Sequence, residues 1–456
     1  MSLWTSTEIA AAVKGTAVGT FEVSGVAYDS REVGPHDLFV ALQGESTDGH
    51  RFVPQAFAQG AAGVIVSQSV DGPHVRVDDT TVALNALGAA SRARTAAKIV
   101  GVTGSVGKTG TKEALFAALD RTAPGRAHRS VKSYNNHVGV PLSLSRMLAD
   151  TRFGVFEMGM NHAGELDLLT RLVRPHVALV TAIAPAHSAF FSGEEAIADA
   201  KGEIFRGLEP GGTAIIPYDS PHRDRLVAAA EPYATKILTF GRGQGADVRA
   251  AEAVRGASGT LVNATLPNGQ LTFTIGLSGE HWVSNALAVL AAVEAVGGDL
   301  AAAGLALAEM AGLPGRGARR LVALAGGEAL LIDESYNANP ASMAATIREL
   351  GQEPATRRIA LLGEMRELGE GSASYHAALA RPLIEAGAQA VILVGEGMTP
   401  LAESLAGHVD VAHVADAAAA KDRLAEMLRP GDAVLVKGSN AIGLARVVKA
   451  LAGENA

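Results

Sequence analysis

Residues 98–109 join a short apolar run to a glycine-rich turn that ends in a lysine and a hydroxyl side chain. The apolar run covers residues 99–102, and Lys108 and Thr109 close the turn. A helix is predicted next, because apolar residues recur at helical spacing at Ala114, Leu115, Ala118 and Leu119. In such a strand, loop and helix, backbone N–H groups point at phosphate oxygens, the lysine adds positive charge and the threonine hydroxyl binds magnesium. The stretch predicts a site for a nucleoside triphosphate with Mg²⁺.

The loop departs by one position from the usual phosphate-loop pattern, G-x-x-x-x-G-K-[ST]. Val102 stands where the pattern needs its first glycine, and Gly101 lies one residue too early. On this stretch alone, an ordinary glycine-rich turn with an exposed lysine therefore remains an alternative.

Other polar side chains lie near the ends of predicted strands. Within the same region, strands are predicted at 98–102, 153–158, 177–183, 212–216 and 237–240. Ligand sites in such sheets lie where strands end, and Glu157, His187 and, one helix later, Lys201 lie there. Beside a phosphate loop, Glu157 is interpreted as an Mg²⁺ ligand rather than a salt-bridged strand end. His187 and Lys201, each taken alone, fit a structural histidine and a surface cation better.

Two polar loops are further candidates for binding. Residues 133–141 contain Asn135 and Asn136 before a predicted helix, and these amides suit either ligand recognition or a turn. Residues 28–50 surround a predicted strand at 38–42 with turn-forming and polar side chains. On physical grounds alone, a solvated turn with Arg31 paired to a carboxylate is favoured there over a ligand site.

The chain, at 456 residues, is too long for one hydrophobic core, and we predict three α/β domains. Residues 1–80 form a small domain of short elements. Residues 81–313 alternate strands and helices, which is typical of a mostly parallel sheet covered on both faces. A Pro/Gly turn at 314–317 opens a Rossmann-like domain, 314–456, with strands at 329–333, 358–362, 390–394 and 433–436. No G-x-G-x-x-G follows its first strand, so a dinucleotide is not expected.

Composition excludes several classes of protein. The chain has no cysteine, which removes disulfides and cysteine nucleophiles, and its formal net charge of −8 argues against a nucleic-acid partner. The most apolar region, 286–313, is interrupted by Glu294, Asp299 and Glu309, so no membrane span is expected. The first residues lack the basic and apolar segments of a signal peptide. We expect a cytoplasmic enzyme.

Taken together, the motifs resemble those of the Mur ligases, which are ATP-dependent amide-forming enzymes of peptidoglycan synthesis. Residues 103–109 match the family's loop variant, T-G-[ST]-x-G-K-[ST], which explains the departure from the usual pattern. The resemblance extends over all three domains. Its most specific segments are residues 29–31, 39–42, 48–50, 157–159, 200–205, 335–340, 362–365 and 367–369.

The resemblance implies an ATP site in the central P-loop domain. The implied ATP-binding residues are Thr103, Gly104, Ser105, Val106, Gly107, Lys108, Thr109, Asn285, Arg316, Asn337 and Asn339. Two Mg²⁺ ions are implied, one held by Thr109 and Glu157 and the other by His187 and a carbamylated Lys201. The implied catalytic residues are Lys108, His187 and Lys201.

The first domain is implied to bind the UDP-sugar end of a peptide substrate. The residues implied to line this pocket are Ser30, Arg31, Gly44, Asp48, His50, Asn135 and Asn136. The implied reaction joins D-alanyl-D-alanine to UDP-N-acetylmuramoyl-tripeptide through an acyl phosphate, with formation of ADP and the UDP-muramoyl-pentapeptide.

Three alternatives stay open at this point. The chain could add the third residue of the stem peptide, act as a folylpolyglutamate synthase, or, in a different class, bind ATP as a switch that makes no bond. The first of these ligases usually carries an Asp-Asn-Pro-Arg segment, whereas Asn339 and Pro340 are followed here by Ala341 and Ser342. We expect a monomer.

Overall fold

The computed structural model describes residues 2–44, 47–185, 190–256, 259–277 and 279–453. The chain folds into successive α/β parts, each built around its own main sheet. This confirms the predicted fold class, whereas the domain boundaries at 80/81 and 313/314 stay a prediction. His187, predicted to be catalytic and to bind a metal, lies outside the described residues.

The first part has a mixed sheet of short strands in the order β2-β7-β6-β5-β4. Strands β4 to β7 run parallel and β2 is antiparallel to β7. Its strands are β1 (Trp4–Thr5), β2 (Thr16–Val18), β3 (Glu22–Val23), β4 (Gly25–Ala27), β5 (Asp37–Val40), β6 (Gly63–Val66) and β7 (His74–Arg76). Its helices are α1 (Ser6–Val13) and α2 (Val53–Ala58), and α3 (Thr80–Ala93) leads into the next part.

The middle part has a sheet in the order β16-β15-β14-β13-β12-β11-β8-β10-β9. Its strands are β8 (Lys98–Thr103), β9 (Ala127–Arg129), β10 (Phe153–Glu157), β11 (Val177–Val180), β12 (Thr213–Pro217), β13 (Lys236–Gly241), β14 (Val248–Gly256), β15 (Gly259–Leu266) and β16 (Gly269–Ile275). Its helices are α4 (Lys108–Thr122), α5 (Gly139–Ser145), α6 (Glu165–Val173), α7 (Glu194–Gly202), α8 (Arg223–Ala230), α9 (Glu280–Ala295) and α10 (Leu300–Glu309).

Strands β8 to β14 pair in parallel, while β15 and β16 extend the sheet as an antiparallel ribbon. Because β8 lies between β10 and β11, their carboxyl ends meet at one edge of the sheet. The predicted mostly parallel sheet is confirmed.

The last part has a sheet in the order β17-β18-β22-β19-β20-β21, parallel except for β17. Its strands are β17 (Ala318–Leu324), β18 (Gly327–Glu334), β19 (Arg357–Gly363), β20 (Ala390–Val394), β21 (Asp410–Val414) and β22 (Asp432–Lys437). Its helices are α11 (Pro340–Gly351), α12 (Ser372–Ala377), α13 (Ala380–Glu385), α14 (Thr399–Leu405), α15 (Ala417–Met427) and α16 (Ala445–Leu451).

Some strands were not predicted, and they lie at or near sheet edges. Strand β9 is three half-buried residues at one end of the middle sheet, and β21 alternates exposed and half-buried residues at the end of the last sheet. Strand β17 pairs in antiparallel register with β18. Strands β9 and β21 lack the continuous apolar run by which the interior strands were recognised, whereas β17 has such a run at residues 321–324 and was nonetheless not predicted.

Helix α9 runs through the main core of the middle part, against α4, α10 and several strands. Residues 286–293 of this helix have no exposed surface. Half of these eight residues are alanine, so neighbouring elements approach closely all around this part of the helix. This packing leaves no room for larger side chains.

Enlarging one of these alanines should destabilise the middle part. Ala288→Leu adds a large side chain at a fully buried position, and overpacking of this kind costs about 1–3 kcal/mol of unfolding free energy. Ala301→Leu makes the same change at an exposed position of α10 and should leave stability near that of the unmodified chain. Denaturant unfolding measures both variants. Equal stability of the two would contradict tight packing around α9.

Candidate active site

The glycine-rich turn connects the end of β8 to the first residue of α4. Gly104 and Gly107 have φ angles of +148° and +86°, which residues with a side chain rarely adopt. A Cβ at Gly104 would also collide with the Thr181 side chain, and one at Gly107 would lie 2.9 Å from Asn285 Oδ1. Glycine is therefore required at both positions, and Asn285 lies against the loop, while its role in ATP binding stays a prediction.

The chain after β11 holds this loop in place. Ser105 donates its backbone N–H to the carbonyl oxygen of Ala182 at 2.8 Å and its hydroxyl to that of Ala184 at 2.9 Å. The Thr181 hydroxyl donates to the carbonyl oxygen of Val106 at 2.6 Å. These bonds fix the loop to a neighbouring strand end.

Lys108 and Lys201 are the amines of the predicted site. Lys108 Nζ donates to the carbonyl oxygen of Gly104 at 2.6 Å. Burial lowers the pKa of Lys108, the Glu157 carboxylate acts in the opposite direction, and the positive charge of Arg316 lowers it further. Lys201, in the last turn of α7, is buried, and burial together with the charge of Lys108 brings its pKa well below the ordinary lysine value. Among the described residues, no carboxylate pairs with Lys201.

Glu157 closes β10 as a buried carboxylate with donors on both oxygens. The Thr109 hydroxyl donates to Oε2 at 2.9 Å, and the Asn135 amide donates to Oε1 at 2.7 Å. The backbone N–H of Glu157 donates to the Ser130 hydroxyl at 2.9 Å. Ser133 Oγ lies 3.3 Å from Thr109 Oγ1. The structure therefore brings Thr109 and Glu157 together, and their role as magnesium ligands stays a prediction.

The donor set fits Mg²⁺. The hydroxyl oxygens of Thr109 and Ser133 and the carboxylate of Glu157 are hard oxygen ligands, which this ion prefers. The described residues contain no group of three or more His, Cys, Asp or Glu side chains arranged for a metal. Mg²⁺ is commonly held by one or two protein ligands, with phosphate and water oxygens completing its shell.

Arg316 reaches this cluster from the last part of the chain. Its guanidinium donates to Ser133 Oγ at 3.4 Å and stacks over the Tyr336 ring at 4.2 Å. The turn that carries it is bonded to β18, because Gly315 N–H donates to the Asp333 carboxylate at 2.7 Å and Gly317 N–H donates to the Asp333 carbonyl oxygen at 2.8 Å. Arg316 therefore moves with the last sheet.

Asn337 and Asn339, predicted to lie near the nucleotide, have local partners. The Asn339 side chain caps α11 by accepting the backbone N–H of Ser342 at 2.9 Å. Asn337 is exposed, and its Oδ1 accepts the N–H of Ala338 at 2.9 Å. Their nucleotide role stays a prediction.

A cavity of about 450 Å³ lies between the start of α9 and the first strands of the last sheet. Its walls combine apolar and charged side chains and include His281, Trp282, Met310, Arg319, Ile332 and Glu334. Trp282 also packs toward Gly110 in the first turn of α4. The cavity thus opens beside the helix that begins at the phosphate loop.

The residues predicted for the UDP-sugar site follow strands of the first sheet. Arg31 forms a bidentate pair with Asp29, lowering the pKa of that carboxyl, and most of its side chain is exposed. Ser30 donates to Gln55 at 3.2 Å. The pairing of Arg31 with a carboxylate matches the simpler of the two sequence interpretations, and the UDP-binding role stays a prediction.

The polar loop after β5 is organised around His50. Its Nδ1 lies 2.6 Å from Asp48 Oδ1, and its Nε2 accepts the backbone N–H of Ser67 at 2.9 Å. Gly44 N–H donates to the carbonyl oxygen of Thr47 at 2.9 Å. These bonds hold the loop at the carboxyl end of β5 and β6.

The two predicted asparagines of the 133–141 loop separate in space. Asn135 bonds to Glu157, whereas Asn136 Oδ1 accepts the N–H groups of Val138 and Gly139 at the start of α5. Tyr134, immediately before them, donates to Glu32 of the first part at 2.8 Å. This loop therefore links the first part of the chain to the cluster around Glu157.

Sequence reasoning missed Ser130, Thr181 and Lys112, which contact the loop or Glu157. Lys112 carried a usable signal, because it falls at helical spacing with the buried Leu115 and Leu119 and so had to lie on the inner face of α4. Ser130 and Thr181 had none, since their partners are distant in sequence.

Known families match most of the chain. The Mur ligase family, catalytic domain, matches residues 22–125, the Mur ligase middle domain matches 102–293, and the Mur ligase glutamate ligase domain matches 319–440. A UDP-N-acetylmuramoyl-tripeptide–D-alanyl-D-alanine ligase from Synechocystis is 34% identical over 442 residues, which is 95% of this chain and 93% of that protein. This chain belongs to the Mur ligase family.

Crystal structures support the same assignment. MurF from Acinetobacter baumannii is 32% identical to this Mur ligase, with a TM-score of 0.85 and 99% of both chains covered. MurF from Thermotoga maritima in complex with ADP is 26% identical, with a TM-score of 0.77, and covers 95% of this chain and 98% of its own. In the described residues of this Mur ligase, no helix is both long and apolar enough to cross a bilayer.

Removing the charge of Glu157 tests the magnesium assignment. Glu157→Gln keeps the shape of the side chain and an oxygen for the Thr109 hydroxyl, so the protein should fold. In the presence of ADP, the Mg²⁺ concentration that gives half of the maximal rise in unfolding temperature should increase at least about tenfold. Tenfold is the lower end of the loss in metal affinity seen when a group that only supports a metal ligand is removed. Glu231→Gln, at an exposed carboxylate, is the control. An unchanged Mg²⁺ titration would remove Glu157 from the metal site.

Proposed function

We propose that this Mur ligase joins D-alanyl-D-alanine to UDP-N-acetylmuramoyl-tripeptide, with ATP hydrolysed to ADP and phosphate. The observation that carries the proposal is the combination of a phosphate loop fixed at Glu157 with full-length similarity to ligases named for this reaction. The alternative functions, addition of the third stem residue or of glutamate to a folate, receive no comparable support from those relatives.

The nucleotide is proposed to lie across the phosphate loop. Its β- and γ-phosphates would accept hydrogen bonds from the loop amides at residues 104–109 and from Lys108, which would exchange the carbonyl oxygen of Gly104 for a phosphate oxygen. The residues proposed to contact ATP are Thr103, Gly104, Ser105, Val106, Gly107, Lys108, Thr109, Asn285, Arg316, Asn337 and Asn339. The 450 Å³ cavity beside α9 is large enough for a nucleoside.

The chemistry begins with the carboxylate at the end of the tripeptide. Its oxygen attacks the γ-phosphorus in line, the bond to the β-phosphate oxygen breaks, and an acyl phosphate and ADP form. The amine of D-alanyl-D-alanine then adds to the acyl carbon, and the tetrahedral intermediate releases phosphate as the amide forms. Lys108 and the loop amides stabilise the charge that spreads over the transferred phosphoryl group.

Thr109 and Glu157 would hold one Mg²⁺, and His187 and Lys201 a second. A bound Mg²⁺ neutralises phosphate charge and orients the transferring group. For Lys201 we propose a carbamate, because burial lowers the pKa of the amine and so favours the uncharged form, which can attack CO₂. A C–N bond forms, one proton leaves to water, and the former cation becomes a pair of oxygen ligands.

The first part of the chain is proposed to bind the UDP end of the substrate. Ser30, Gly44, Asp48 and His50 follow β4 or β5 at the carboxyl edge of the same parallel strands, which is where α/β sheets bind ligands. Arg31, exposed beside them, is available for a pyrophosphate. The loop with Asn135 and Asn136 connects this edge to Glu157 and completes the proposed pocket.

Phosphate release with defined acceptors tests the function. With UDP-N-acetylmuramoyl-tripeptide and ATP present, D-alanyl-D-alanine should give release and a new amide, whereas diaminopimelate and L-lysine should not. Phosphate release that requires neither an acceptor nor the UDP-substrate would instead identify a nucleotide-dependent switch. Product formed with diaminopimelate or lysine would favour the ligase that adds the third stem residue.

Chemical rescue tests the proposed carbamate. Lys201→Ala should be inactive and should recover part of its activity with added formate or acetate, because the small carboxylate supplies oxygens in the vacated space. Lys236→Ala, at an exposed lysine, should be active without additive. A high-resolution map of the nucleotide-bound enzyme with an unmodified amine on Lys201 would contradict the carbamate.

A further inference from the structure

Lys112 is a fully buried lysine outside the residues assigned to the reaction. It lies in α4, four residues after Lys108, and has no exposed surface. Burying an ammonium group is costly unless acceptors surround it. Its surroundings therefore show what its charge is used for.

The ammonium group of Lys112 joins α4 to the loop between β9 and α5. Nζ donates to the carbonyl oxygen of Lys132 and lies 3.5 Å from that of Ser130. It also pairs with the Glu113 carboxylate at 2.9 Å and lies 3.9 Å from Glu157 Oε2. One cation thus contacts the loop backbone and faces the carboxylate at the centre of the site.

Residues 130–135, here called the 130–135 loop, supply most of the contacts that orient Glu157 and Thr109. Ser130 Oγ accepts the N–H of Glu157, Ser133 Oγ lies beside Thr109 Oγ1, and the Asn135 amide donates to Glu157 Oε1. Lys112 bonds to the backbone of the same loop at two carbonyl groups. Displacement of the loop would therefore change the position of all three side chains together.

We propose that Lys112 is a positioning residue that fixes the 130–135 loop and Glu157 in the arrangement that binds Mg²⁺ with the nucleotide. This rests on the Mg²⁺-nucleotide site of the proposed function. Lys112 is not a ligand and does not touch the reacting groups. It acts through the carbonyl groups of the loop and through Glu157.

Whether Mg²⁺ affinity rises or falls when Lys112 is replaced distinguishes a positioning role from a purely electrostatic one. Removal of a positive charge 3.9 Å from Glu157 would, by Coulomb's law alone, strengthen binding of a cation there. Loss of the loop's anchor would instead weaken it, since groups that orient a metal ligand typically contribute 10–100-fold to metal affinity. Positioning therefore predicts the direction opposite to the electrostatic effect.

The experiment measures ADP binding by calorimetry across a Mg²⁺ series, together with thermal unfolding of each variant. For Lys112→Met, which keeps the length and removes the charge and donors, the Mg²⁺ concentration for half-maximal enhancement of ADP binding should rise about 10–100-fold. Binding of ADP in excess EDTA should stay near that of the unmodified protein. Lys112→Gln retains an N–H donor for the loop and should recover part of the loss.

Glu113→Gln is the matched control, because it removes the ion-pair partner of Lys112 while leaving the bonds to the loop. Its Mg²⁺ dependence should stay near that of the unmodified protein. An unchanged or lowered Mg²⁺ requirement in folded Lys112→Met would overturn the proposal. Failure of both Lys112 variants to fold would also overturn it, since Lys112 would then serve the fold. If the unmodified protein binds Mg²⁺-ADP but makes no amide with the named substrates, only the proposed function fails.

Discussion

The rest of the site depends on the hydrogen bonds that the buried carboxylate of Glu157 accepts. An ionised group removed from water must be matched by donors, and here they come from the Thr109 hydroxyl, the Asn135 amide and, at longer range, Lys112. These donors belong to α4 and to the loop between β9 and α5. Satisfying one carboxylate therefore fixes the first turn of the helix, the loop and the strand end relative to one another.

The phosphate loop shows a different balance, because burial makes its two amines costly to charge. Among the described residues, Lys108 is hydrogen-bonded to the carbonyl oxygen of Gly104, and burial lowers its pKa and that of Lys201. Helix α4 adds the positive end of its dipole at the same place. A phosphate group in the loop would stabilise the charged form of Lys108, so the folded site favours phosphate binding.

Sequence patterns predicted the interior of the fold well and its edges poorly. Strands β8, β10 and β11 have continuous apolar runs, and the loop, Thr109 and Glu157 followed from their position at the strand ends. Strands β9 and β21 take their form from pairing with a neighbour, which no local pattern encodes. Asn135 illustrates the same limit within the site. Its residue type suited either ligand recognition or a turn, whereas its bond to Glu157 joins residues that only the folded sheet brings together.

The turn that carries Arg316 has a consequence for how the parts of the chain communicate. Its glycines are bonded to Asp333 of β18, while its guanidinium reaches the Ser133 hydroxyl, which itself lies beside Thr109. A rotation of the last sheet cannot leave these contacts unchanged. The contacts of the Ser133 hydroxyl therefore depend on the orientation of the last sheet. Through this hydroxyl, the phosphate loop is coupled to a sheet that contributes no strand to its own part of the chain.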